Sequence, residues 1–310
     1  MRTVYPDYYR DFCCTASACR HTCCAGWEID IDSASMRRYA AAEGDLGRRL
    51  RAGIAGGENP HFVLTEGGRC PLLDDDGLCA VLLDLGEDAL CDICAEHPRF
   101  HTFLSDRTET GLGLCCEEAA RLLLSRRGPI RLLGEGGEKL TRGEKKLLGQ
   151  RALAFGVLWR SGGLRARLDD LLFVFGASMA ERPAREWADI CLGLERMDGR
   201  WTALLEGLRE VDGADVAEFD RRYPQTLREY ENLLWYFFYR HFLSAADSGS
   251  VAAPLRFAAV SWQIIHALDA AKFKRAGAFA PADRAEHARL YSAEIEYSDE
   301  NMEAMLELLQ

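Results

Sequence analysis

The cysteines of this chain are concentrated near its N-terminal end. Eleven of the twelve lie within the first 116 residues, and five fall in the single segment CCTASACRHTCCAGW at residues 13–27. Cysteines that serve only as small buried apolar residues would be scattered along the chain. The twelfth, Cys191, lies in WADICLGL, where helical spacing predicts such a buried role. The distribution therefore divides the chain into a cysteine-rich N-terminal part and a cysteine-poor C-terminal part.

The compartment decides how these cysteines are used. The first residues, MRTVYPDYYRDF, do not resemble a signal peptide, because they lack an apolar segment and are interrupted by charges. The most apolar stretch, LLWYFFY at 233–239, is far shorter than the ~20 residues of a membrane span. We therefore expect a cytoplasmic protein without a transmembrane segment. Thiols stay reduced in the cytoplasm, so a disulfide framework is not expected.

The charge of the chain limits its partners. The 310 residues carry a formal net charge of −11, with 49 acidic and 38 basic side chains. An acidic protein lacks the basic surface that binding to phosphates requires, so a nucleic-acid partner is not expected. A basic protein surface that bears lysines is compatible with this charge, although acidity of this degree is also an ordinary means of staying soluble.

The N-terminal part, residues 1–128, is expected to form an irregular lobe. Glycine, proline and aspartate turns are dense at residues 55–60, 66–71 and 74–77. The segment FVLTEGGRCPLLDDDGLCAVLL reads as short extended pieces around a tight turn, and this hairpin would bring Cys70 and Cys79 close together. Helical character begins only briefly here, from about Ala34.

The C-terminal part, residues 129–310, is expected to be an α-helical domain. A capping box, TRGE at 141–144, introduces a long helix, and the most aromatic helix is predicted over 226–243. Further helices are predicted from the segments at 117–125, 164–180, 183–197, 255–274, 281–298 and the last residues up to 310. The glycine-rich stretch IRLLGEGGEKL at 130–140 is not followed by an alternating strand–helix pattern, so we interpret it as a linker and not as a Rossmann loop. The fold class predicted is mainly α.

The cysteine spacing predicts a metal site without naming the metal. Cys91 and Cys94 form a C-x-x-C pair, whose two thiolates can turn towards one ion. Thiolate ligands suit both zinc and an iron–sulfur cluster. The spacing matches neither a zinc ribbon nor a ferredoxin. A radical enzyme would show CxxxCxxC, but after Cys19 and Cys23 the third position is Gly26. His21, His97 and His101 are nearby and could each replace one thiolate on zinc.

Several motifs resemble the flagellin lysine-N-methylase family. They are CxxxCCxGWxIDID ending at Asp32, CPLLDDDGLC at 70–79, LGEDALCDICAEHPR at 85–99, LCCEEAARLLL at 114–124, YENLLWYFFYRHF at 230–242 and YSAEIEYSDEN at 291–301. They follow the family's order and span nearly the whole chain. The N-terminal pattern alone also resembles small cysteine-cluster proteins described as zinc or iron chelators.

This resemblance implies a specific activity. Members of the family transfer a methyl group from S-adenosylmethionine to lysine side chains of flagellin, and they depend on a four-iron four-sulfur cluster. The cluster ligands that the resemblance implies are Cys14, Cys19, Cys23, Cys70, Cys79, Cys91, Cys94 and Cys115. Cys13 and Cys116 look like extra cysteines. Ala293 and Tyr297 replace an expected arginine and histidine, which puts a catalytic role for that segment in doubt.

Methyl transfer to lysine makes two chemical demands. The amine, with a reference pKa near 10.4, must lose its proton before it attacks, and the donor's sulfonium favours aromatic faces and carboxylates. The candidate catalytic residues are Glu28, Tyr230, Glu231 and Glu294, and the candidate cofactor-binding residues are Trp27, Tyr230 and Trp235. The plainer interpretation is that the aromatic helix belongs to the core. Tyr236 and Tyr239 lie on a different face of that helix from Tyr230, so the two groups need a second wall to share a pocket.

Two other functions fit the residues. A non-catalytic metal protein, either a zinc-stabilised interaction module or an iron–sulfur redox sensor, is favoured by the missing methyltransferase loop. A thiol oxidoreductase using Cys91 and Cys94 would need a thioredoxin-like setting, and the sequence does not show one.

Overall fold

A computed structural model describes residues 2–137 and 139–310, with the backbone alone at Asp247 and Ser248. Helices dominate, so the prediction of a mainly α protein without a Rossmann arrangement is confirmed. The helices are α1 Ser33–Ala41, α2 Gly44–Gly53, α3 Ala80–Leu85, α4 Asp92–Glu96, α5 Glu117–Ser125, α6 Arg142–Leu158, α7 Leu164–Val174, α8 Ala184–Gly193, α9 Gly199–Leu208, α10 Gly213–Arg222, α11 Leu227–His241, α12 Ala245–Ser248, α13 Ala252–Ala276, α14 Pro281–Tyr291 and α15 Asp299–Leu308. The strands are β1 Arg2–Pro6, β2 Ile54–Ala55, β3 His61–Phe62, β4 Arg99–Phe103, β5 Arg107–Leu112 and β6 Leu132–Leu133.

The chain forms two compact units whose boundaries differ from the expected division at 128/129. One unit, here called the cysteine unit, is residues 13–99, and the other, the helical unit, combines residues 1–12 with 100–310. The first residues join the helical unit because β1 pairs in parallel with β5 and antiparallel with β6, in a sheet of order β4-β5-β1-β6. The segment at 130–140 is therefore partly a strand and not only a linker; its Glu138 lies outside the described residues.

Two helices form the centre of the helical unit. Every residue of α11 from Tyr230 to Tyr239 is buried, and α13 is buried over most of its length. A helix that is apolar all round belongs in the middle of a core, so its neighbours must cover every side. Helices α5, α6 and α13 pack on α11, and α9, α10 and α14 pack on α13. Cys191 is fully buried in this core, as its helical spacing predicted.

Local signals explain where several helices begin. The predicted capping box at the start of α6 is confirmed, with the Thr141 hydroxyl accepting from the Glu144 N–H and the Glu144 carboxylate accepting from the Thr141 N–H. Pro183 lies directly before α8, and α14 begins at Pro281. The helix predicted over 281–298 changes to a π-helical turn at Ser292–Glu296. Helices α9 and α10 were not among the predicted segments.

The cysteine unit is built from short elements and turns. Helix α1 begins at Ser33 because the Asp32 side chain accepts from the N–H groups of Ala34 and Ser35. The predicted turn between Cys70 and Cys79 is present as a loop closed by Asp74, with Leu73 bridging to Cys79. The buried side chains of this unit are Ile29, Ile31, Tyr39, Leu46, Leu50, Phe62, Cys70, Leu72, Ala80, Val81, Ala89 and Cys91.

Within the described ranges, no helix is both long enough and apolar enough to cross a membrane.

Candidate functional site

Six cysteines of the cysteine unit converge. Backbone pairing brings two segments together, because the Cys70 N–H donates to the Cys24 carbonyl at 2.8 Å. Cys79 directly precedes α3, and Cys91 directly precedes α4, which carries Cys94. The six thiols, here called the thiol cluster, lie close enough for their charges to affect one another's pKa. They are Cys23, Cys24, Cys70, Cys79, Cys91 and Cys94.

Four of these thiols are arranged as two hydrogen-bonded pairs. The Cys24 thiol donates to Cys23, which lowers the pKa of Cys23 to about 7 and raises that of Cys24. The Cys94 thiol donates to Cys91 in the same way, which lowers the pKa of Cys91 to about 7 and raises that of Cys94. One member of each pair is thereby favoured as a thiolate, the form that binds metals.

The remaining two thiols are more strongly affected by burial. Burial raises the pKa of Cys70 and of Cys79, and neighbouring thiolates raise it further. Backbone N–H groups that follow each cysteine, at Leu72 and at Val81 and Leu82, act in the opposite direction. Such N–H groups are a common means of stabilising sulfur ligands. The donors are thus all sulfur, they range from the exposed Cys23 to the buried Cys70 and Cys91, and backbone amides support several of them.

This convergence is not a finished coordination site. Among the described residues, no three side chains of histidine, cysteine, aspartate or glutamate are placed to hold one metal ion together. The sulfurs instead form hydrogen bonds with one another. The donor chemistry fits a four-thiolate zinc site or an iron–sulfur cluster, and six thiols exceed the four that either group takes.

The other predicted ligands lie in different surroundings. Cys14 is exposed, and its sulfur accepts from the Ala16 N–H. Cys19 is half-buried and follows a 3₁₀ turn at Ala16–Ala18. Cys115 belongs to the helical unit, where burial raises the pKa of its thiol to about 12 and Tyr297 forms a hydrogen bond with it. Cys24, which the sequence pattern did not select, belongs to the thiol cluster; its position next to Cys23 was the available signal.

Two further candidates lie beside Cys23. The Trp27 indole N–H donates to the Cys23 carbonyl at 2.9 Å, and the ring lies 6.1 Å from the His97 ring. Burial lowers the pKa of His97 to about 4. Glu28 is exposed. Trp27 and Glu28 are therefore accessible on the cysteine unit, next to the segment that contributes two thiols.

Tyr230 takes part in a buried polar network around Asp269. Its hydroxyl donates to Asp269 at 2.7 Å and accepts from Arg284 at 2.8 Å. Arg284 also donates to Asp269 at 2.6 Å and pairs with Glu229, and His287 lies 2.6 Å from the other Asp269 oxygen. Burial, followed by the charge of Asp269, raises the pKa of Tyr230 well above its ordinary value. This hydroxyl is held as a proton donor and is poorly suited to accept a proton.

Glu231 and Trp235 are held in the core of the helical unit. The Glu231 carboxylate accepts from Arg167 at 2.7 Å, and its other oxygen forms an ion pair with Arg228 at 2.8 Å. Trp235 is 1% exposed and stacks on Phe155, at 5.1 Å between ring centroids. Both residues therefore fit the plainer interpretation, in which the aromatic helix belongs to the core.

A second buried network surrounds Glu296 at the end of the π-helical turn. Its carboxylate accepts from the Tyr236 hydroxyl at 3.0 Å and lies 2.5 Å from His241 Nε2. Arg240 donates to the Tyr236 hydroxyl at 2.8 Å. Burial opposes the charge of Glu296, yet Arg240 and His241 leave its pKa below the ordinary value. Turns of this type often occur at functional positions.

Glu294, in the same turn, holds the loop before α9. Its two carboxylate oxygens accept from the N–H groups of Met197 and Asp198, at 2.9 and 2.7 Å. Burial nevertheless raises its pKa. Within the helical unit, Tyr230, Glu231 and Glu294 therefore belong to three separate sets of contacts.

The helical unit also contains a cavity of about 610 Å³ that the sequence did not reveal. It lies between α7, α8, α10, α11 and α13 and is lined by Tyr230. Its buried wall includes Trp187, Trp262 and His266, and its rim includes the exposed Asp212 and Asp220. The contributing helices are distant in sequence, so no local motif could have indicated it.

Comparison with known proteins gives a consistent family. Residues 193–310 match the model of the FliB lysine N-methylase C-terminal domain. The lysine-N-methylase of Salmonella choleraesuis strain SC-B67 is 32% identical over 127 residues, which cover 39% of this chain and 32% of that protein. The lysine-N-methylase of Salmonella typhimurium strain LT2 matches at the same identity and coverage. The alignment thus spans about a third of the length of these two relatives.

A shorter relative is covered more fully. The flagellar biosynthetic protein FliU of Salmonella muenchen is 31% identical over 127 residues, 39% of this chain and 75% of that protein. No solved structure matches the chain. With the C-terminal domain matched and most of one relative covered, the chain belongs to the flagellin lysine-N-methylase family.

Proposed function

We propose that this protein is an S-adenosylmethionine-dependent protein lysine N-methyltransferase that acts on flagellin and requires a four-iron four-sulfur cluster. Family membership supports the reaction type. The observation that carries the proposal on the structural side is the thiol cluster, which collects six sulfur donors from four separate segments of the cysteine unit. Sulfur donors collected in this way are the ligand type that an iron–sulfur cluster takes.

Four of the six thiols would hold the cluster. Cys70, Cys79 and Cys91 are the strongest candidates, because backbone N–H groups stabilise the thiolate of each. Cys94 completes the C-x-x-C pair, and Cys23 or Cys24 is the remaining choice. An iron–sulfur cluster held by these thiolates would supply electron transfer.

The acceptor lysine needs a group that takes its proton. In the transfer, a bond forms between the lysine nitrogen and the methyl carbon, the bond from carbon to sulfur breaks, and the amine proton leaves. Glu231 and Glu294 are buried and already accept hydrogen bonds. The Tyr230 hydroxyl donates a hydrogen bond to Asp269 and stays protonated. The exposed Glu28 is accessible to a lysine on a protein surface, so we assign it the role of proton acceptor.

Metal analysis and methyl transfer test this function together. Protein purified and reconstituted without oxygen should contain four irons per chain, and it should move label from S-adenosylmethionine to flagellin. Cys91→Ser should lose the iron and at least 90% of the transfer, since loss of one ligand weakens such a site strongly. Cys13→Ser is the matched control, because that thiol is exposed on the same unit and lies outside the thiol cluster.

Two results would contradict the proposal. Stoichiometric zinc without the brown absorption of iron and sulfide would indicate the zinc-stabilised interaction module instead. Transfer that survives in the iron-free Cys91→Ser protein would remove the dependence on a cluster. For the proton acceptor, Glu28→Gln should lower the transfer rate at neutral pH at least tenfold, whereas Glu66→Gln, an exposed carboxylate elsewhere on the cysteine unit, should not change it.

A further inference from the structure

The cavity of the helical unit has the properties of a ligand site. Its volume of about 610 Å³ falls in the range of small-molecule pockets, roughly 300–1,000 Å³. Its wall is aromatic, with Trp187, Tyr223, Tyr230 and Trp262 all among the lining residues. Such walls bind flat rings and cations.

The charges around the cavity favour a cationic ligand. The rim arginines already have carboxylate partners: Arg165 pairs with Asp169 and Glu181, and Arg182 pairs with Glu186. Asp220 is different. Its partner is His266, whose Nε2 lies 2.7 Å away, and 54% of the Asp220 side chain is exposed.

His266 connects this carboxylate to the aromatic wall. Its ring stacks on Trp262, with the planes 18° apart, and lies edge-on to Tyr230, with 4.7 Å between centroids. A carboxylate, an imidazole and two aromatic rings are thus held side by side, with Tyr230 fixed from behind by the Asp269 network. The wall is preorganised by buried contacts of α11 and α13.

We propose that this cavity binds the methyl donor, S-adenosylmethionine, with its sulfonium near Asp220 and the aromatic wall and its purine ring between the tryptophans. This inference rests on the proposed function, which supplies the identity of the donor. The ligand combines what the site asks for: a flat ring and a positive charge. A lysine side chain from the protein substrate offers the charge but not the ring.

Binding, measured without turnover, tests the proposal. S-adenosylmethionine and its neutral product S-adenosylhomocysteine are titrated into the full chain, and binding is followed by calorimetry and by tryptophan fluorescence. Val216→Phe places a ring in the cavity and should weaken both ligands at least tenfold. Ala217→Phe, the next residue of α10, is exposed and does not line the cavity, so it should leave both affinities unchanged.

Two further variants test the details. Asp220→Asn should weaken the binding of S-adenosylmethionine about two- to fivefold more than that of S-adenosylhomocysteine. Only the former carries the sulfonium charge that Asp220 attracts, and water partly screens this attraction. Trp262→Phe should reduce the fluorescence response, whereas Trp201→Phe, a core tryptophan away from the cavity, should retain it.

The outcomes separate this proposal from the function on which it rests. If wild-type protein binds the donor and Val216→Phe binds it equally well, the donor site lies elsewhere and the proposal is overturned. If a lysine-containing flagellin peptide is blocked by Val216→Phe while the donor is not, the cavity belongs to the acceptor and the proposal is likewise overturned. If wild-type reconstituted protein binds neither ligand, the methyltransferase function itself fails.

Discussion

The two units of this chain bury their polar groups in different ways. The helical unit buries complete ion pairs: Asp269 has Arg284, Tyr230 and His287, and Glu231 has two arginines. The cysteine unit buries thiols whose partners are mostly other thiols. The first arrangement pairs opposite charges within the protein, whereas the second brings together atoms of one chemical type that a metal would join.

The apolar cores of the two units also differ in whether cysteines belong to them. In the helical unit, α11 and α13 are covered on every side by large aliphatic and aromatic residues. In the cysteine unit, Cys70 and Cys91 are themselves members of a small core, and Cys24, Cys79 and Cys94 pack against it. A small unit with few large apolar side chains needs an additional source of stability, and a metal is a common one. We therefore expect the stability of the cysteine unit, and not that of the helical unit, to depend on the proposed metal.

Removal of the metal should give the largest effect and should distinguish the units directly. After chelation of the reconstituted protein under anaerobic conditions, amide hydrogen exchange in residues 13–99 should accelerate at least tenfold, because the metal that we propose there would bind only the folded unit. Amides of α11 and α13 serve as the internal control and should keep their protection. Equal protection before and after chelation would show that the cysteine unit is stable by itself.

Breaking the Asp269 network should be the most damaging single change in the helical unit. Asp269→Ala leaves the fully buried Arg284 without its central carboxylate, so the free energy of unfolding should fall by about 3–5 kcal/mol. Denaturant unfolding followed by circular dichroism measures this, with the exposed Asp170→Ala as control. A loss below about 1 kcal/mol would mean that the network is not a stabilising centre.

Acidification should weaken the helical unit through His241. Burial holds the pKa of His241 below its ordinary 6.5, despite the favourable Glu296 carboxylate. The unfolded chain therefore binds a proton first as the pH falls, and the free energy of unfolding should drop by on the order of 1 kcal/mol between about pH 7.5 and 5.5.

The matching variant removes this titration. His241→Gln should reduce the pH dependence of unfolding over that interval, and His97, whose pKa burial also lowers, should account for the slope that remains. His101→Gln, at an exposed position of β4, should leave the slope as in the wild type. An unchanged slope in His241→Gln would assign the pH dependence to another group.

The smallest effect concerns the start of α6. Thr141→Ala removes the acceptor for the Glu144 N–H and should lower the free energy of unfolding by about 0.5–1 kcal/mol, while Thr141→Ser should be nearly neutral. Differential scanning calorimetry of the three proteins is sufficient. Equal melting of Thr141→Ala and wild type would show that the remaining Glu144 contacts with Ser105 hold the helix start alone.

Predictions from neighbouring residues succeeded where the determining contacts are local. The capping box at Thr141, the burial of Cys191 and the aromatic helix around Tyr230 all follow from residues within a few turns of one another. The boundary between units was different, because it depends on β1 pairing with strands that begin more than one hundred residues later. Residues that pair across such distances leave no spacing pattern in the sequence.

Only part of the candidate site could be predicted from the sequence, for the same reason. The resemblance selected Cys23, Cys70, Cys79, Cys91 and Cys94, and all five lie in the thiol cluster. It did not select Cys24. Nor did it select Asp269, which accepts a hydrogen bond from Tyr230 and lies on another helix. The choice of ligands, like that of catalytic residues, stays a prediction until it is tested.

The sequence by itself determined the mainly helical class, the concentration of thiols and the family resemblance, because residue type, periodicity and motif order are properties of the linear chain. Tertiary structure alone decided which thiols meet, which carboxylates are already paired with arginine and where an aromatic cavity opens. Those features depend on side chains brought together from separate helices and loops. Their energies come from burial and partnership, which only the folded chain provides.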